Sequence, residues 1–367
     1  MRLNAKQIAE YTAANVLVES MEPSRLATGI TWDSRTVKSG DVYLALPGER
    51  VDGHDFVESA LCAGAIIALV MRPVAESVRL RAKEMGAAIL EVSSTTAALT
   101  DLARAWRKHL KGRVIVLTGS TGKTTTKNLV RDVFSTTYKT VATHGNQNNE
   151  LGVPKTLLEA DPETDYVVIE MGMRGKGQLK SLCEFVKPDY ALVTNTGESH
   201  IELLGSKDAI IQAKAEVVEA LTPGVGVAVL NRALADSSHR IEEIARVQER
   251  DVTVVGFDGS GLCRGDAQVY AKDISIDAEG KPSFTLCTLK GEQTCSLVLR
   301  GEHNVHNACA AAALGYVCGI SLEKIIEGLE ASLPEVGRQE INTNADGVLV
   351  INDAYNANPD SMRASLS

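Results

Sequence analysis

Short apolar runs alternate along the chain with stretches whose apolar residues recur every three or four positions, the signatures of buried strands and one-sided helices. Toward the amino terminus, 42–46, 65–70 and 87–92 read as strands and 56–63 and 96–110 as helices. Lys111-Gly112-Arg113 reads as a joint, so the pattern predicts a first α/β domain over 1–112. From Val114 the alternation resumes. The runs at 114–117, 166–169, 190–193, 225–230 and 252–256 read as buried strands, several a helix-length apart, which predicts a mostly parallel sheet. Between Ala267 and Arg300 the runs shorten around Glu279-Gly280-Lys281-Pro282, predicting antiparallel hairpins inserted in the same domain. An alanine-rich helix over 307–318 is stopped by Gly319; Ser321 caps another that runs to about Ser332, and Pro334 and Gly337 then break the chain. The second domain therefore extends over 113–336. Residues 337–367 contain a strand at 347–353 and stop where a helix begins. So short a piece cannot bury a core, so the chain is expected either to end inside a third domain or to pack this piece onto the second.

Composition narrows the function. Lysine and arginine number 38 against 47 acids, a net charge of −9 with no long basic run, which argues against a nucleic-acid binder. The amino terminus, Met1-Arg2-Leu3-Asn4-Ala5-Lys6-Gln7, lacks the apolar core of a signal peptide. No apolar run reaches the roughly 18 residues that span a bilayer, so the expectation is a cytoplasmic protein with no membrane span. The seven cysteines form no C-x-x-C pair and read as reduced packing residues rather than zinc ligands or a disulfide framework.

The chemistry centres on Thr118-Gly119-Ser120-Thr121-Gly122-Lys123-Thr124-Thr125-Thr126, between a predicted strand and a predicted helix bearing Leu129, Val130, Val133 and Phe134. Glycines let backbone N–H groups close around a phosphate, and the helix adds the positive end of its dipole. Lys123 would reach the terminal phosphates and the Thr124 hydroxyl would bind Mg²⁺. The general pattern has a further glycine where this chain has Leu117, so the loop is the shorter form. A metal-holding acid is then needed on a neighbouring strand, and Glu170, ending the run at 166–169, stands where it is required. Thr194-Asn195-Thr196-Gly197-Glu198-Ser199-His200 follows another strand, at the carboxyl-end mouth of a parallel sheet, where ligands bind. His200 alone reads either as a metal ligand or as a structural histidine, and Lys214, on a helical stretch, as a solvated charge. Gly301-Glu302-His303-Asn304-Val305-His306-Asn307 lacks the further ligands a zinc site needs, and capping by its asparagines is the plainer reading. Asp33-Ser34-Arg35 and the cluster from Gly48 to Asp55 are either turns with solvated charges or functional loops.

Taken together, the glycine-lysine-threonine loop, Glu170, Asn195 with His200, Lys214, and Gly301 to Asn307 resemble the ATP-dependent Mur ligases, which extend the peptide of bacterial cell-wall precursors. The resemblance spans nearly the whole chain. It implies an α/β protein with an N-terminal domain for the UDP-bearing substrate, a central P-loop parallel-sheet ATPase domain with an antiparallel insertion, and the start of a Rossmann-like C-terminal domain. ATP would lie on Gly119, Ser120, Thr121, Gly122, Lys123, Thr124 and Thr125, with Asn304 and Asn307 by the adenine, Arg338 by the phosphates and Asp353 by the ribose. Two Mg²⁺ are implied, one on Thr124 and Glu170, the other framed by Glu170, His200 and a carbamylated Lys214. Asp33, Ser34 and Arg35 would help hold the uridine diphosphate, and Asn146, Asn148 and Asn149 would lie along the peptidyl substrate. Three stretches, at 143–154, Gly301-Glu302-His303-Asn304 and 352–362, the last including Tyr355, Asn356 and Asn358, resemble the branch that joins D-alanyl-D-alanine to UDP-N-acetylmuramoyl-tripeptide. The implied protein is a monomer that takes those two substrates and no nucleic acid. The alternatives are a relative that adds diaminopimelate or lysine, and a P-loop nucleotide-binding protein without ligase activity.

Overall fold

A computed structural model of the chain describes residues 1–48, 51–197, 201–262, 265–335, 337, 340–343, 348–354 and 362. It divides into two compact units, Met1–Lys111 with Glu150–Glu163, and Gly112–Asn149 with Thr164–Ser367. The piece after Gly337, in its described residues, is grouped with the second unit.

The first unit is built on a five-stranded sheet. Its strands are β1 (Asn15–Val18), β2 (Gly29–Thr31), β3 (Asp41–Leu44), β4 (Ile67–Val70) and β5 (Ala88–Glu91), in the order β1-β5-β4-β3-β2. Four run parallel and β1 is antiparallel to β5. β3 and β4 are buried along their whole length, as strands covered on both faces must be. Helix α1 (Thr95–Arg107) is capped by Ser94, whose hydroxyl accepts from Ala97 N, and buries Leu99, Leu102 and Trp106. The helix Gly152–Glu159 belongs to this unit although its sequence lies far beyond Lys111. The Trp106 indole donates to Ala160 O at 2.9 Å, and the Met1 ammonium donates to Leu158 O.

The second unit holds a nine-stranded sheet. In chain order its strands are β6 (Arg113–Thr118), β7 (Thr140–Ala142), β8 (Tyr166–Glu170), β9 (Tyr190–Val193), β10 (Val227–Asn231), β11 (Thr253–Asp258), β12 (Val269–Ile276), β13 (Pro282–Thr288) and β14 (Gly291–Ser296). Their order is β14-β13-β12-β11-β10-β9-β6-β8-β7. Pairings from β7 through β12 are parallel, and β12-β13-β14 is the expected antiparallel insertion, with a register shift between Lys272 and Ser275. β6 is an interior strand between β9 and β8, and Val114, Ile115, Val116 and Leu117 are fully buried, which is why its sequence is continuously apolar. Helix α2 (Lys123–Ser135) packs Leu129, Val130, Val133 and Phe134 into the same core. The helices α3 (Gln178–Val186), α4 (Lys207–Glu219), α5 (His303–Val317) and α6 (Leu322–Ala331) follow. The α5 helix begins earlier than the alanine-rich stretch at 307–318 suggests, so His303 to Asn307 form its first turns. A two-stranded hairpin, β15 (Glu340–Thr343) with β16 (Leu349–Asn352), completes the described chain. Among the described residues no helix is long and apolar enough to cross a membrane.

Candidate active site

The chain leaves β6 at Thr118, turns through Gly119 to Gly122 and enters α2 at Lys123. β6 lies between β8 and β9, while the next strand in sequence, β7, lies beyond β8. The turn therefore opens at the point where the strand order changes direction, the usual ligand crevice of such sheets.

Two glycines are required by geometry. Gly122 is left-handed, φ 74° and ψ −1°, and a Cβ there would stand 2.6 Å from Asn307 Oδ1. A Cβ on Gly119 would stand 1.9 Å from Thr194 Oγ1. Asn195, just past β9, clamps the turn. Its Oδ1 accepts from Ser120 N and Thr121 N at 3.1 Å each, and its Nδ2 donates to Thr121 O at 3.1 Å and Thr121 Oγ1 at 3.0 Å. Thr194 Oγ1 donates to Thr121 O at 3.0 Å, and Ser120 Oγ to Gly197 O at 2.7 Å. The Lys123 ammonium folds back over the turn, 2.9 Å from Gly119 O and 3.4 Å from Ser120 O. The result is a preformed turn with the start of a helix beneath it, suited to a phosphate.

Charged groups gather beside it. Glu170, at the end of β8 and in register with Leu117, is 1% exposed; its Oε1 accepts from Asn148 Nδ2 at 2.7 Å and its Oε2 is buried with no partner. Thr124 is buried at the start of α2. Lys214, on α4, is 2% exposed and forms no ion pair among the described residues. Burial, and secondarily the nearby charge of Lys123, push its pKa well below the ordinary 10.5, so the amine is held toward the neutral form. An orphaned buried carboxylate oxygen at the end of β8 and a buried threonine hydroxyl at the start of α2 are the donor types a hard cation requires. These residues therefore fit Mg²⁺. The described residues contain no group of three or more His, Cys, Asp and Glu arranged for a metal. His200, Arg338, Tyr355, Asn356 and Asn358 lie outside the described residues.

A cavity of about 490 Å³ adjoins the turn, lined by Thr121, Gly122, Thr125, Asn304, Asn307 and Asp353 among others. The two asparagines are committed to the protein: Asn307 Oδ1 accepts from Thr126 Oγ1 at 3.1 Å, Asn307 Nδ2 donates to Asn304 Oδ1 at 2.8 Å, and Asn304 Nδ2 to Arg300 O at 2.6 Å. This chain of amides fixes the wall against which Gly122 turns. His303 and His306, also lining the cavity, are lowered in pKa mainly by burial. Thr126, Asn231, which donates to Thr194 O at 2.8 Å, and the apolar Phe257 and Leu299 complete the surroundings and carry no signal in the sequence beyond their burial.

In the first unit, Asp33, Ser34 and Arg35 form the turn after β2. Arg35 pairs with Asp33 through both carboxylate oxygens, 2.8 and 2.7 Å, and that pairing holds the Asp33 carboxyl down at about 2. Part of the polar cluster from Gly48 to Asp55 is an ordered network: Asp52 accepts from His54 N, pairs with His54 Nδ1 at 2.6 Å and with Arg72 at 2.9 Å, while His54 Nε2 accepts from Met71 N. Asn146 and Asn149 are exposed on the loop after β7, whereas Asn148 is half-buried.

Sheet topology and turn define an α/β nucleotide-phosphate-binding domain joined to a second α/β unit. Residues 117–315 match the family model described as the Mur ligase middle domain, and 27–107 that described as the Mur ligase family catalytic domain. A UDP-N-acetylmuramoyl-tripeptide–D-alanyl-D-alanine ligase from Mycobacterium tuberculosis is 37% identical, covering 100% of this chain and 73% of its own length. Among solved structures, MurF from Acinetobacter baumannii superposes with a TM-score of 0.82 at 34% identity, covering 100% of this chain and 76% of that one. The MurF ligase of Thermotoga maritima in complex with ADP superposes with a TM-score of 0.74 at 27% identity, covering 93% and 74%. The chain belongs to the Mur ligase family and is an ATP-dependent ligase with the α/β architecture expected from its sequence.

Proposed function

We propose that the protein joins D-alanyl-D-alanine to UDP-N-acetylmuramoyl-tripeptide in the cytoplasmic synthesis of peptidoglycan precursors, acting as a monomer. The observation that carries the reading is the clamped phosphate turn flanked by Glu170, with its unpartnered Oε2, and by the buried amine Lys214. The relatives named for this reaction support the choice of substrates. Residues 1–112 would hold the UDP-bearing substrate, 113–336 ATP, and 337–367 would begin the domain for the amino component.

A carboxylate resists attack by an amine, so it must first be activated. The γ-phosphoryl of ATP passes to the terminal carboxylate of the tripeptide, giving an acyl phosphate and ADP. The free amine of D-alanyl-D-alanine then attacks the acyl carbon, the amide bond forms, phosphate leaves and the amine gives up a proton. Gly119, Ser120, Thr121 and Gly122 would cradle the phosphates, the Ser120 and Thr121 amides exchanging Asn195 Oδ1 for phosphate oxygens, with Thr125 alongside. Lys123, now 2.9 Å from Gly119 O, exchanges that carbonyl for phosphate oxygens and neutralises their charge. Thr124 and Glu170 would hold one Mg²⁺, and Glu170, His200 and Lys214 a second; the ions supply neutralisation of charge on the transferring phosphoryl. Lys214 would serve as a carbamate: its neutral amine adds to carbon dioxide, a carbon–nitrogen bond forms, a proton goes to solvent, and an anion replaces a group that would repel a cation. Asn304, Asn307 and Asp353 would border the adenosine, and Arg338 the phosphates. Asp33, Ser34 and Arg35 would meet the uridine diphosphate, Asn146, Asn148 and Asn149 the peptidyl arm, and Tyr355, Asn356 and Asn358 the reacting end.

The test supplies ATP, Mg²⁺ and UDP-N-acetylmuramoyl-tripeptide, then adds D-alanyl-D-alanine, diaminopimelate or lysine in turn. Phosphate release that needs the dipeptide, with a product heavier by that dipeptide less water, is expected. Release with diaminopimelate or lysine instead would change the amino component, and release indifferent to all of them would refute the ligase reading.

A further inference from the structure

Lys127, in the second turn of α2, is one of the largest fully buried side chains, 2% exposed. A buried ammonium needs acceptors, and two of those it has are backbone carbonyls. Its Nζ donates to Thr143 O at 2.8 Å and to Gly145 O at 3.2 Å. Both carbonyls belong to the loop after β7, and the same loop bonds Glu170 twice and Gly172 once. Thr143 Oγ1 accepts from Glu170 N at 3.0 Å, Asn148 Nδ2 donates to Glu170 Oε1 at 2.7 Å, and Asn148 O accepts from Gly172 N at 2.9 Å. Within the loop the backbone bonds are short-range, Gln147 N to His144 O at 3.2 Å and Asn148 N to Asn146 O at 2.7 Å. Thr143 N also donates to Val168 O at 2.9 Å, so β8 holds the start of the loop, while the Lys127 ammonium holds Gly145 and the Glu170 carboxylate meets Asn148 further along.

We infer that Lys127 is a positioning residue for the Glu170 carboxylate: by gripping Thr143 and Gly145 it sets Asn148, and Asn148 holds Oε1 so that Oε2 remains available to a metal ion. The inference rests on the metal role proposed above for Glu170. Side chains that orient a metal-holding carboxylate act on metal affinity rather than on the phosphate cradle itself. The bonds that clamp the turn run from Asn195 and Thr194 to Ser120 and Thr121, whereas those described for Lys127 run to Thr143 and Gly145.

The experiment measures ADP binding by calorimetry in EDTA and in Mg²⁺, and takes the ratio of the two dissociation constants as the metal-linked tightening. Lys127→Met and Asn148→Ala should each reduce that ratio about tenfold, the lower end for groups that orient metal ligands, while ADP affinity in EDTA stays within about twofold of wild type. The double variant should be no worse than Asn148→Ala alone, because both act along one path, and Lys127→Arg should restore most of the ratio. Equal losses with and without metal, or effects of the two substitutions that multiply, would overturn the inference. Should Lys127→Met not fold, Lys127→Gln, which keeps one donor, should give an intermediate ratio; a wild-type ratio there counts against the inference. Glu170→Gln separates the two levels. If it abolishes the metal-linked tightening while the Lys127 variants retain it, the role of Lys127 alone fails; if it changes nothing, the metal role of Glu170 fails and the inference with it.

Discussion

Gly122→Ala tests the geometry of the phosphate turn, because two separate costs can be read from the structure. Gly122 has φ 74°, and holding an alanine in the left-handed region costs roughly 1–2 kcal/mol. The new Cβ would also stand 2.6 Å from Asn307 Oδ1 and 3.4 Å from its Cγ. Asn307 cannot swing aside freely, since its amide is bonded to Thr126 Oγ1 at 3.1 Å and Asn304 Oδ1 at 2.8 Å. Surrendering one or two such bonds adds about 1–2 kcal/mol. Because the variant's free turn relaxes away from both costs and ADP must restore the closed turn, the total, about 2–4 kcal/mol, falls on binding, which weakens by roughly 30-fold to 1,000-fold. In an Asn307→Ala background the clash is gone and only the backbone strain remains, so the same substitution should cost roughly 5-fold to 30-fold. Calorimetric titration of ADP into the four proteins of this cycle measures the difference directly. Equal costs of Gly122→Ala in both backgrounds would refute the role of Asn307 as the wall of the turn, and a cost below about threefold would refute the strain as well.

Other consequences follow from buried and paired charges. Lys214→Ala should lower ligation by roughly a hundredfold or more, with partial recovery on adding formate or acetate; undiminished activity would rule out a carbamate at this position. In buffer free of carbon dioxide the unmodified Lys214, its pKa depressed by burial below 10.5, binds fewer protons folded than unfolded, so folding is penalised below 10.5 and the penalty eases as pH rises toward it. The stability advantage of Lys214→Met over wild type, measured by denaturant titration, should accordingly shrink between neutral pH and pH 10. The Asp33 carboxyl should titrate by NMR at about 2, and return toward 3.8 in Arg35→Ala; because its pKa is depressed, the pair contributes above 3.8 and is lost as pH falls through that window. Glu216 is buried, accepts from Gly177 N at 2.6 Å and Lys180 N at 2.9 Å, and so caps α3 from another helix. Glu216→Ala should cost about 2 kcal/mol in denaturant titration, and Glu216→Gln less, since one acceptor oxygen remains.

The sequence carried the phosphate turn because its causes are local. Continuous burial of β6 demands an apolar run, the core face of α2 demands the spacing Leu129, Val130, Val133, Phe134, and the turn between them demands glycine where φ is positive. Glu170 was legible for the same reason, as the polar end of a buried strand. What remained hidden depends on partners distant in the chain. The clamp by Asn195 joins residues 75 apart and follows from the parallel register of β9 with β6, which periodicity does not specify. Asn304 looks like a loop residue until α5 is seen to begin at His303; only then does its spacing of three from Asn307 put both on one helical face, where Asn307 meets Thr126. The helix Gly152–Glu159 lies in sequence between strands of the second sheet, and nothing local to it states that it goes to the first unit. Lys127 reads as one polar residue of a helix, since only the fold brings Thr143 and Gly145 over its ammonium.

The central claim is that the phosphate turn activates a carboxylate by phosphorylating it. It is tested most directly by supplying UDP-N-acetylmuramoyl-tripeptide labelled with oxygen-18 in its terminal carboxylate, together with ATP and D-alanyl-D-alanine, and analysing the phosphate released. Transfer of the γ-phosphoryl to that carboxylate predicts one labelled oxygen in each phosphate and one retained in the new amide carbonyl. Phosphate without label, its fourth oxygen drawn from the unlabelled water, would contradict the acyl phosphate and with it the chemistry proposed for Lys123, Glu170 and Lys214.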